Sequence, residues 1–432
     1  MPQRKYNKTK LESTKHTKRI TLPIDLVTYN ELLPDKKAFR QYLDEMVQTY
    51  PELFPDDIGC GYKLHGMMPP SKKMPQVQLR RIQLTSLGEQ QQRQVFTISP
   101  CDILPYMAGH VTKVEKALFL RRFGVPFWAL TYVFGRNDSY WCNLTTALGR
   151  HDIVGTTVKQ PENLPQHLLA DEKHARFQGD KAYIATTVAN DCVLGASVSL
   201  TADTEGLTEA YGHFKDETQR LNPNYKPETV NEDGWRATHL AWQTLFPTIT
   251  IICCFLHAFI KIRSCGKRLG DAFADIKQQV WDIYHASDRT DFLTKITDLQ
   301  FWTKTNAENL TGTVMEAIEK LCAKADSFVV AFEYPDAYRT SNMVDRHMEP
   351  MSRWLYGARY FHGHLRSAEL QTRSWALLHN FWPYCPRAKV RETYQSPAHK
   401  LNGFVYRDNW LENLLVATSL QGFHVSNKKC EN

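Results

Sequence analysis

The sequence predicts an α/β protein in which a mixed sheet is interrupted by a long all-helical segment and preceded by a mainly helical N-terminal region. Three observations predict it. Short apolar runs at 168–171, 181–188 and 192–200, with turn signals at Gln178-Gly-Asp180 and Asn190-Asp191, spell a three-stranded meander. Helical and strand periods then alternate: an amphipathic helix over 206–221, a strand over 228–231, a helix over 235–246 and a strand over 248–254. From 261 to 332 almost every apolar residue recurs at helical spacing, in 269–284, 292–303 and 314–325.

At 432 residues the chain is long enough for two or three cores. A hydrophobic fraction of 42%, with 10 Trp, 21 Phe and 19 Tyr, excludes global disorder. The formal charge of +7 is mostly a terminal feature. Residues 1–20 carry Arg4, Lys5, Lys8, Lys10, Lys15, Lys18 and Arg19 against Glu12 alone, so 7 − 1 = +6 lies in a basic arm. Such an arm gains affinity for a polyanion by counterion release; the plain alternative is a solvated terminus. Ten cysteines without a Cys-x-x-Cys pair fit a reduced, cytoplasmic protein. No signal-peptide core opens the sequence, and the most apolar run, 249–260, is too short for a bilayer and contains His257, so no membrane association is expected.

Residues 21–100 mix polar helical stretches with Pro-rich and Gln-rich turns and specify no element. Beyond them, 113–123, 125–134 and 140–148 read as helices around Gly135-Arg-Asn-Asp-Ser139, flanked by Arg121, Arg122, Arg136 and Arg150. Two helices on a tight glycine turn fit either a helix-turn-helix or a plain bundle. After the long helical segment, helices are expected from Asp345 to about 360 and over 369–381, then a short extension.

Three stretches carry candidate chemistry: Leu-Leu-Ala-Asp171, Val-Asn-Glu-Asp233-Gly-Trp235 and Ser-Asn-Met-Val-Asp345-Arg-His-Met-Glu349, with Cys254-Phe-Leu-His257 after the second. Asp171 closes its predicted strand, and Glu172 points to the opposite side by strand alternation. Asp233 sits at a strand end, where it also suits a helix N-cap. Trp235 is a core residue or a base-stacking one. Asp345 and Glu349 share a helical face, and either could be the third acid. Two divalent ions about 3.5–4 Å apart, held by oxygen ligands, are what phosphodiester chemistry needs. A lone Cys-x-x-His is a weak zinc signal, and the pair also fits two buried side chains at a strand–helix junction. Arg339, Arg346, Arg353, Arg359 and Arg366 recur at six- or seven-residue intervals, as phosphate contacts or as a solvated face.

The order strand carboxylate, strand carboxylate, helix carboxylate resembles the DDE transposases. The Cys-x-x-His and the Ser341-Asn342-x-x-acid are most similar to Mutator-type transposases and related bacterial insertion-sequence enzymes, over roughly 165–260 and 335–410. The resemblance implies an RNase H-like core whose first and fourth strands are neighbours, which would join Asp171 to Asp233 across 62 positions (233 − 171). It implies a basic arm over 1–20, a DNA-binding region over 21–160, a core split into 161–260 and 335–390, a helical insertion over 261–334 and an extension over 391–432. Asp171, Asp233 and Asp345 would hold two Mg²⁺ ions, with Mn²⁺ as a substitute, and Cys254, His257 and Trp235 would support them. Aspartate at position 345 departs from the glutamate usual there, which keeps Glu349 open. The expected activity is cutting of transposon ends and their transfer into target DNA. The partners would be terminal inverted repeats, target DNA and a second copy of the chain, on the nucleoid of a bacterial cytoplasm. Arg4, Lys5, Lys8, Lys10, Arg121, Arg122, Arg136, Arg346 and Arg353 are the candidate DNA contacts. A nuclease on the same core, or a copy that binds DNA without cutting it, are the alternatives.

Overall fold

A computed structural model describes residues 18–87, 93–105, 109–387 and 393–423. Arg4, Lys5, Lys8 and Lys10 of the basic arm lie outside the described residues. The protein is mixed α/β with two sheets.

The N-terminal region is rich in helix and also carries a four-stranded sheet that the residue pattern did not specify. Strands β1 (Arg19–Leu22), β2 (Tyr62–Met67), β3 (Arg80–Leu87) and β4 (Arg93–Pro100) pair in the order β1-β4-β3-β2. Helices α1 (Leu26–Leu32) and α2 (Lys36–Thr49) accompany it, capped by the Asp25 and Asp35 carboxylates. Arg19 anchors β1, donating to Ser99 Oγ and to the Ile103 carbonyl, so it is a structural residue and not part of a free arm. Three helices follow, α3 (Val111–Arg121), α4 (Phe127–Phe134) and α5 (Asp138–Leu148), and then the short α6 (Ile153–Thr157).

The second sheet has the order β7-β6-β5-β8-β9, from β5 (His167–Phe177), β6 (Asp180–Ala189), β7 (Cys192–Ser199), β8 (Thr229–Glu232) and β9 (Thr250–Cys253). Two two-residue turns make the meander. Gln178-Gly179 and Asn190-Asp191 all have positive φ, the conformation whose twist matches the flanking strands. A two-residue turn cannot join parallel strands, so the chain crosses through α7 (Thr204–Leu221) before β8 lies parallel to β5. After α8 (Arg236–Leu245), β9 adds on parallel to β8.

Strand alternation divides the interior into two apolar clusters. Leu168, Ala170, Leu194 and Val230 pack with Tyr211, Phe214 and Trp242 of α7 and α8. Leu169, Val193 and Val198 face the other way, towards Val344, Met348 and Trp375. Those residues come from α14 (Asn342–Gly357) and α15 (Leu365–Phe381), which follow the helical segment. That segment runs through α9 (Phe255–Gly266), α10 (Asp271–Tyr284), α11 (Arg289–Thr305), α12 (Gly312–Ala323) and α13 (Ala325–Val329), of which α10, α11 and α12 match the apolar spacing. It has a core of its own, with Phe259, Ile276, Phe292, Leu299, Ile318 and Phe328. The chain closes with α16 (Pro397–Asn402) and α17 (Trp410–Ala417). Among the described residues no helix is long and apolar enough to cross a membrane. Cys60 is disulfide-bonded, which corrects the expectation of a fully reduced set.

Arg121 also departs from its expected role. It is fully buried, its guanidinium lies over the Phe127 and Trp354 rings, and it donates to the Val125 carbonyl, so it holds the α3–α4 turn against α14 and reaches no DNA. Arg122 is half-buried over Trp382 and donates to the Pro383 carbonyl. Neither α4 nor α5 contains a cation, and α5 buries Trp141, Leu144 and Leu148, while α4 exposes Trp128, Tyr132 and Val133. Arg136 and Arg150 remain exposed at the helix ends.

One buried ion pair ties the N-terminal region to the second sheet. Arg373 on α15 bonds Glu217 on α7 at 2.5 Å and donates to the Gly149 and His151 carbonyls, while Glu217 accepts from the Ile153 and Val154 amides. Arg373→Ala leaves Glu217 buried without its counter-charge. We expect a loss of about 3–5 kcal/mol, read as a lower urea midpoint.

Candidate active site

The three candidate acids are brought to one place by register and parity. The last parallel pair between β5 and β8 is Leu169 with Asn231. Asp171 and Asp233 each lie two residues beyond it (171 − 169 and 233 − 231); alternation turns Asp171 to the Leu169 face, towards α14, and Asp233 is the first residue past the end of β8. Asp345 sits in the first turn of α14, on that side. The expectation that Asp171 ends its strand needs correcting. β5 continues to Phe177, paired with β6, and it is the parallel pairing with β8 that stops short of Asp171.

Electrostatics reports the convergence. Burial pushes the Asp171 carboxyl up to about 6, aided by the charges of Asp233 and Asp345 and opposed by the Glu172 amide and His257. These groups, from β5, the β8 end, α14 and α9, are close enough to act on one another. Glu349 does not share this position. It is exposed and bonded to Arg353 one turn along.

The opposite parity produces a second acid pair that the sequence reading did not single out. Glu172 is buried and accepts from Tyr211 Oη and Thr238 Oγ1, each at 2.7 Å. Burial pushes it up to about 7 and Glu232 up to about 8. Glu232 accepts from the Gly234 amide at 3.1 Å, and Asp233 accepts from the Trp235 amide at 2.8 Å, closing the turn into α8. Gly234 adopts φ +91, a left-handed conformation that an L side chain resists. Trp235 is half-buried against the α7–α8 cluster, with its ring centroid 6.0 Å from that of Tyr183. Its position fits packing beside the site.

Cys254 and His257 join the third acid through Ser341. The Ser341 amide donates to Cys254 Sγ at 3.1 Å, and the Ser341 hydroxyl donates to Asp345 Oδ2 at 3.2 Å. The His257 Nδ1 atom lies 3.4 Å from the same hydroxyl. The hydrogen bond to Cys254 raises the His257 pKa to about 9 despite burial, with Asp345 and Asp171 adding to the effect. Burial pushes the Cys254 thiol up, but the His257 and Ser341 hydrogen bonds outweigh it and leave the thiol below its usual value. At neutral pH the imidazolium offsets part of the repulsion among the acids. Ser341 also starts α14, accepting from the Asp345 amide at 3.0 Å, so one residue fixes both the helix and its carboxylate.

The arginine series divides. Arg339 lies between the Tyr284 and Phe332 rings as a strut for the helical segment, so it is no phosphate contact. Arg346, Arg353, Arg359 and Arg366 are exposed; Arg346 lies 3.7 Å from Asp191.

Among the described residues no three His, Cys, Asp or Glu side chains are already drawn into a metal cage. The donor set is nevertheless all carboxylate oxygen, the hard chemistry Mg²⁺ prefers, and that ion keeps several waters and takes one or two carboxylates plus substrate phosphates. No protein-family model matches the chain, and no curated protein matches it, so the functional reading stands on this geometry.

The raised Asp171 pKa has a definite sign. The contribution is fully present below the unfolded value near 3.8 and is lost as pH rises through about 6. Asp171→Asn is therefore expected to be more stable than wild type at pH 7.5, by about 1–3 kcal/mol at 1.36 kcal/mol per unit. The difference should vanish near pH 4 in thermal melts. Cys254→Ser should bring the His257 pKa down from about 9, followed by NMR titration of the imidazole.

Proposed function

We propose that the protein is a metal-dependent DNA transposase of DDE type on an RNase H-like core, with residues 261–334 as a helical insertion. The observation that carries this reading is that Asp233, just past the end of the parallel neighbour of β5, and Asp345, in the first turn of α14, are both near enough to act on Asp171 of β5. The sheet order β7-β6-β5-β8-β9, three antiparallel strands followed by two parallel ones, supports it. So does the helical segment between β9 and α14, which separates the second acid from the third.

Asp171, Asp233 and Asp345 would hold two Mg²⁺ ions, for which Mn²⁺ could substitute. When bound, these ions lower the pKa of an attacking water or 3′-hydroxyl and stabilise the leaving oxygen of a phosphodiester. The protein's own groups orient that chemistry. The Ser341 hydroxyl holds one oxygen of Asp345, leaving the other free to turn to the site. The Asp233 carboxylate is fixed by the Trp235 amide. The His257 imidazolium, held by Cys254, keeps the acids ionised side by side. Exposed Arg346, Arg353 and Arg136 are available to DNA phosphates, and joining two element ends would require at least a dimer.

One observation favours a second reading, a copy that binds DNA without cutting. The third acid is an aspartate held by Ser341, with a side chain one methylene shorter than the glutamate of the resembling enzymes. Incubation of labelled element-end DNA with Mg²⁺ or Mn²⁺ separates the two. Cleavage and strand transfer by wild type, lost at least about 100-fold in Asp171→Asn, Asp233→Asn and Asp345→Asn but kept in Glu349→Gln, are expected. Cleavage that survives Asp345→Asn and fails in Glu349→Gln would reassign the third ligand, and no cleavage by wild type would leave the binding-only reading. Millimolar Mg²⁺ should also raise the melting temperature of wild type more than that of Asp171→Asn.

A further inference from the structure

One cation, Lys324, stands over the turn that follows β8 and carries Asp233, with no hydrogen-bond or ion-pair partner among the described residues. Lys324, the residue that ends α12 in the helical segment, extends over the turn after β8. A methyl group placed on Gly234 would lie 2.6 Å from Lys324 Nζ and 3.7 Å from Cys253 Sγ. The ammonium group is close enough to Glu232 and to the Cys253 thiol to lower the pKa of both. Yet its side chain makes no hydrogen bond or ion pair with any described residue. Beside it, the fully buried Glu232 leaves Oε1 without a hydrogen bond. The nearest base to that oxygen is His239 Nδ1 at 3.5 Å, and burial lowers the His239 pKa, so that contact is not an ion pair at neutral pH.

An unpaired ammonium beside a set of carboxylates is an unusual arrangement, since a flexible lysine readily closes onto the nearest acid. Here the turn geometry holds the acids in other bonds: Asp233 accepts from the Trp235 amide and Glu232 from the Gly234 amide. The lysine is left facing outward over a glycine that offers it no side chain. Lysine acts as a compact point charge for phosphate oxygens. Gly234, over which it lies, is the residue next to Asp233, so a strand held at that acid would pass beside the ammonium group.

We propose that Lys324 grips a non-bridging phosphate oxygen of the DNA strand at the Asp233 edge, so that the helical segment supplies part of the binding site; this rests on the DNA-enzyme reading above. Lys324 is then a phosphate-binding residue contributed from outside the sheet. The glycine at position 234 answers to the turn, whose φ of +91 an L side chain resists, and leaves room for the ammonium group above it.

The test uses the full-length protein and a fluorescein-labelled duplex of arbitrary sequence with a 3′ single-stranded extension, in EDTA, so that no metal is needed. Binding is followed by anisotropy across a KCl series for wild type, Lys324→Ala and Lys324→Arg. Removing one phosphate contact should weaken binding by Lys324→Ala and reduce the magnitude of its log–log salt slope by about 0.7–0.9, while Lys324→Arg keeps the wild-type slope. In wild type, bound duplex should protect Lys324 from reductive methylation, read by mass spectrometry, a measurement that involves no variant and no folding question. An unchanged slope in Lys324→Ala, or methylation of Lys324 undiminished by DNA, overturns the proposal. Either result leaves the carboxylate reading intact, whereas failure of wild type to cleave DNA would overturn catalysis without altering the salt slope.

Discussion

The parallel pairing of β5 with β8 is the constraint on which the rest of the site depends. It sets Leu169 opposite Asn231, so that Asp171 of β5 and Asp233, the first residue after β8, each follow that pair by two positions. A shift of register by one residue would send one of the two carboxylates to the face of Glu172 and Glu232, where it would meet Tyr211 and Trp242 instead of α14. The register is fixed by burial on both faces, since Leu168 and Leu169 belong to opposite clusters and neither tolerates exchange with a polar neighbour. The separation of the two acids along the chain is therefore immaterial once the sheet has formed.

Bringing acids together is unfavourable, and the fold distributes the means of offsetting it. Burial and mutual charge raise the Asp171 pKa, and the chain answers from two directions. From the strand–helix junction comes His257, kept protonated by Cys254. From the start of α14 comes Ser341, whose amide and hydroxyl reach Cys254 and Asp345. Cys-x-x-His and Ser-Asn-x-x-Asp are thus one physical unit, in which the first motif supplies positive charge and the second supplies aim. The helical segment lies between them in sequence, has its own core, and meets the sheet at Cys253 and Phe255, with Arg339 between two aromatic rings as the strut. A segment anchored in this way can be long without displacing Asp345.

The N-terminal half shows how far tertiary context overrides local pattern. Arg121 is a cation in a helix that looked ready for phosphate, yet its guanidinium is sandwiched between Phe127 and Trp354. Delocalised charge and flat faces make arginine suitable for such a role, where lysine would not be. Helix α4 lacks charge altogether and still exposes Trp128 and Tyr132, so flanking arginines were a poor guide to its surface.

By itself the sequence determined the elements whose periodicity is strong. The meander with its two tight turns, the alternation of α7, β8, α8 and β9, the three long helices α10, α11 and α12 and the pair α14 and α15 all follow from local residue pattern, because each must hide an apolar face of one period. It did not specify the four-stranded sheet around β1, whose strands are short, mixed in polarity and paired across long separations, or the buried arginines. Only the tertiary structure separates the surroundings of Asp345 and Glu349, which share a helical face: the Ser341 hydroxyl donates to the first, and the second pairs with Arg353. It alone placed Lys324 over Gly234, since proximity between a helix end and a distant turn depends on how two cores are docked, and no local spacing encodes that.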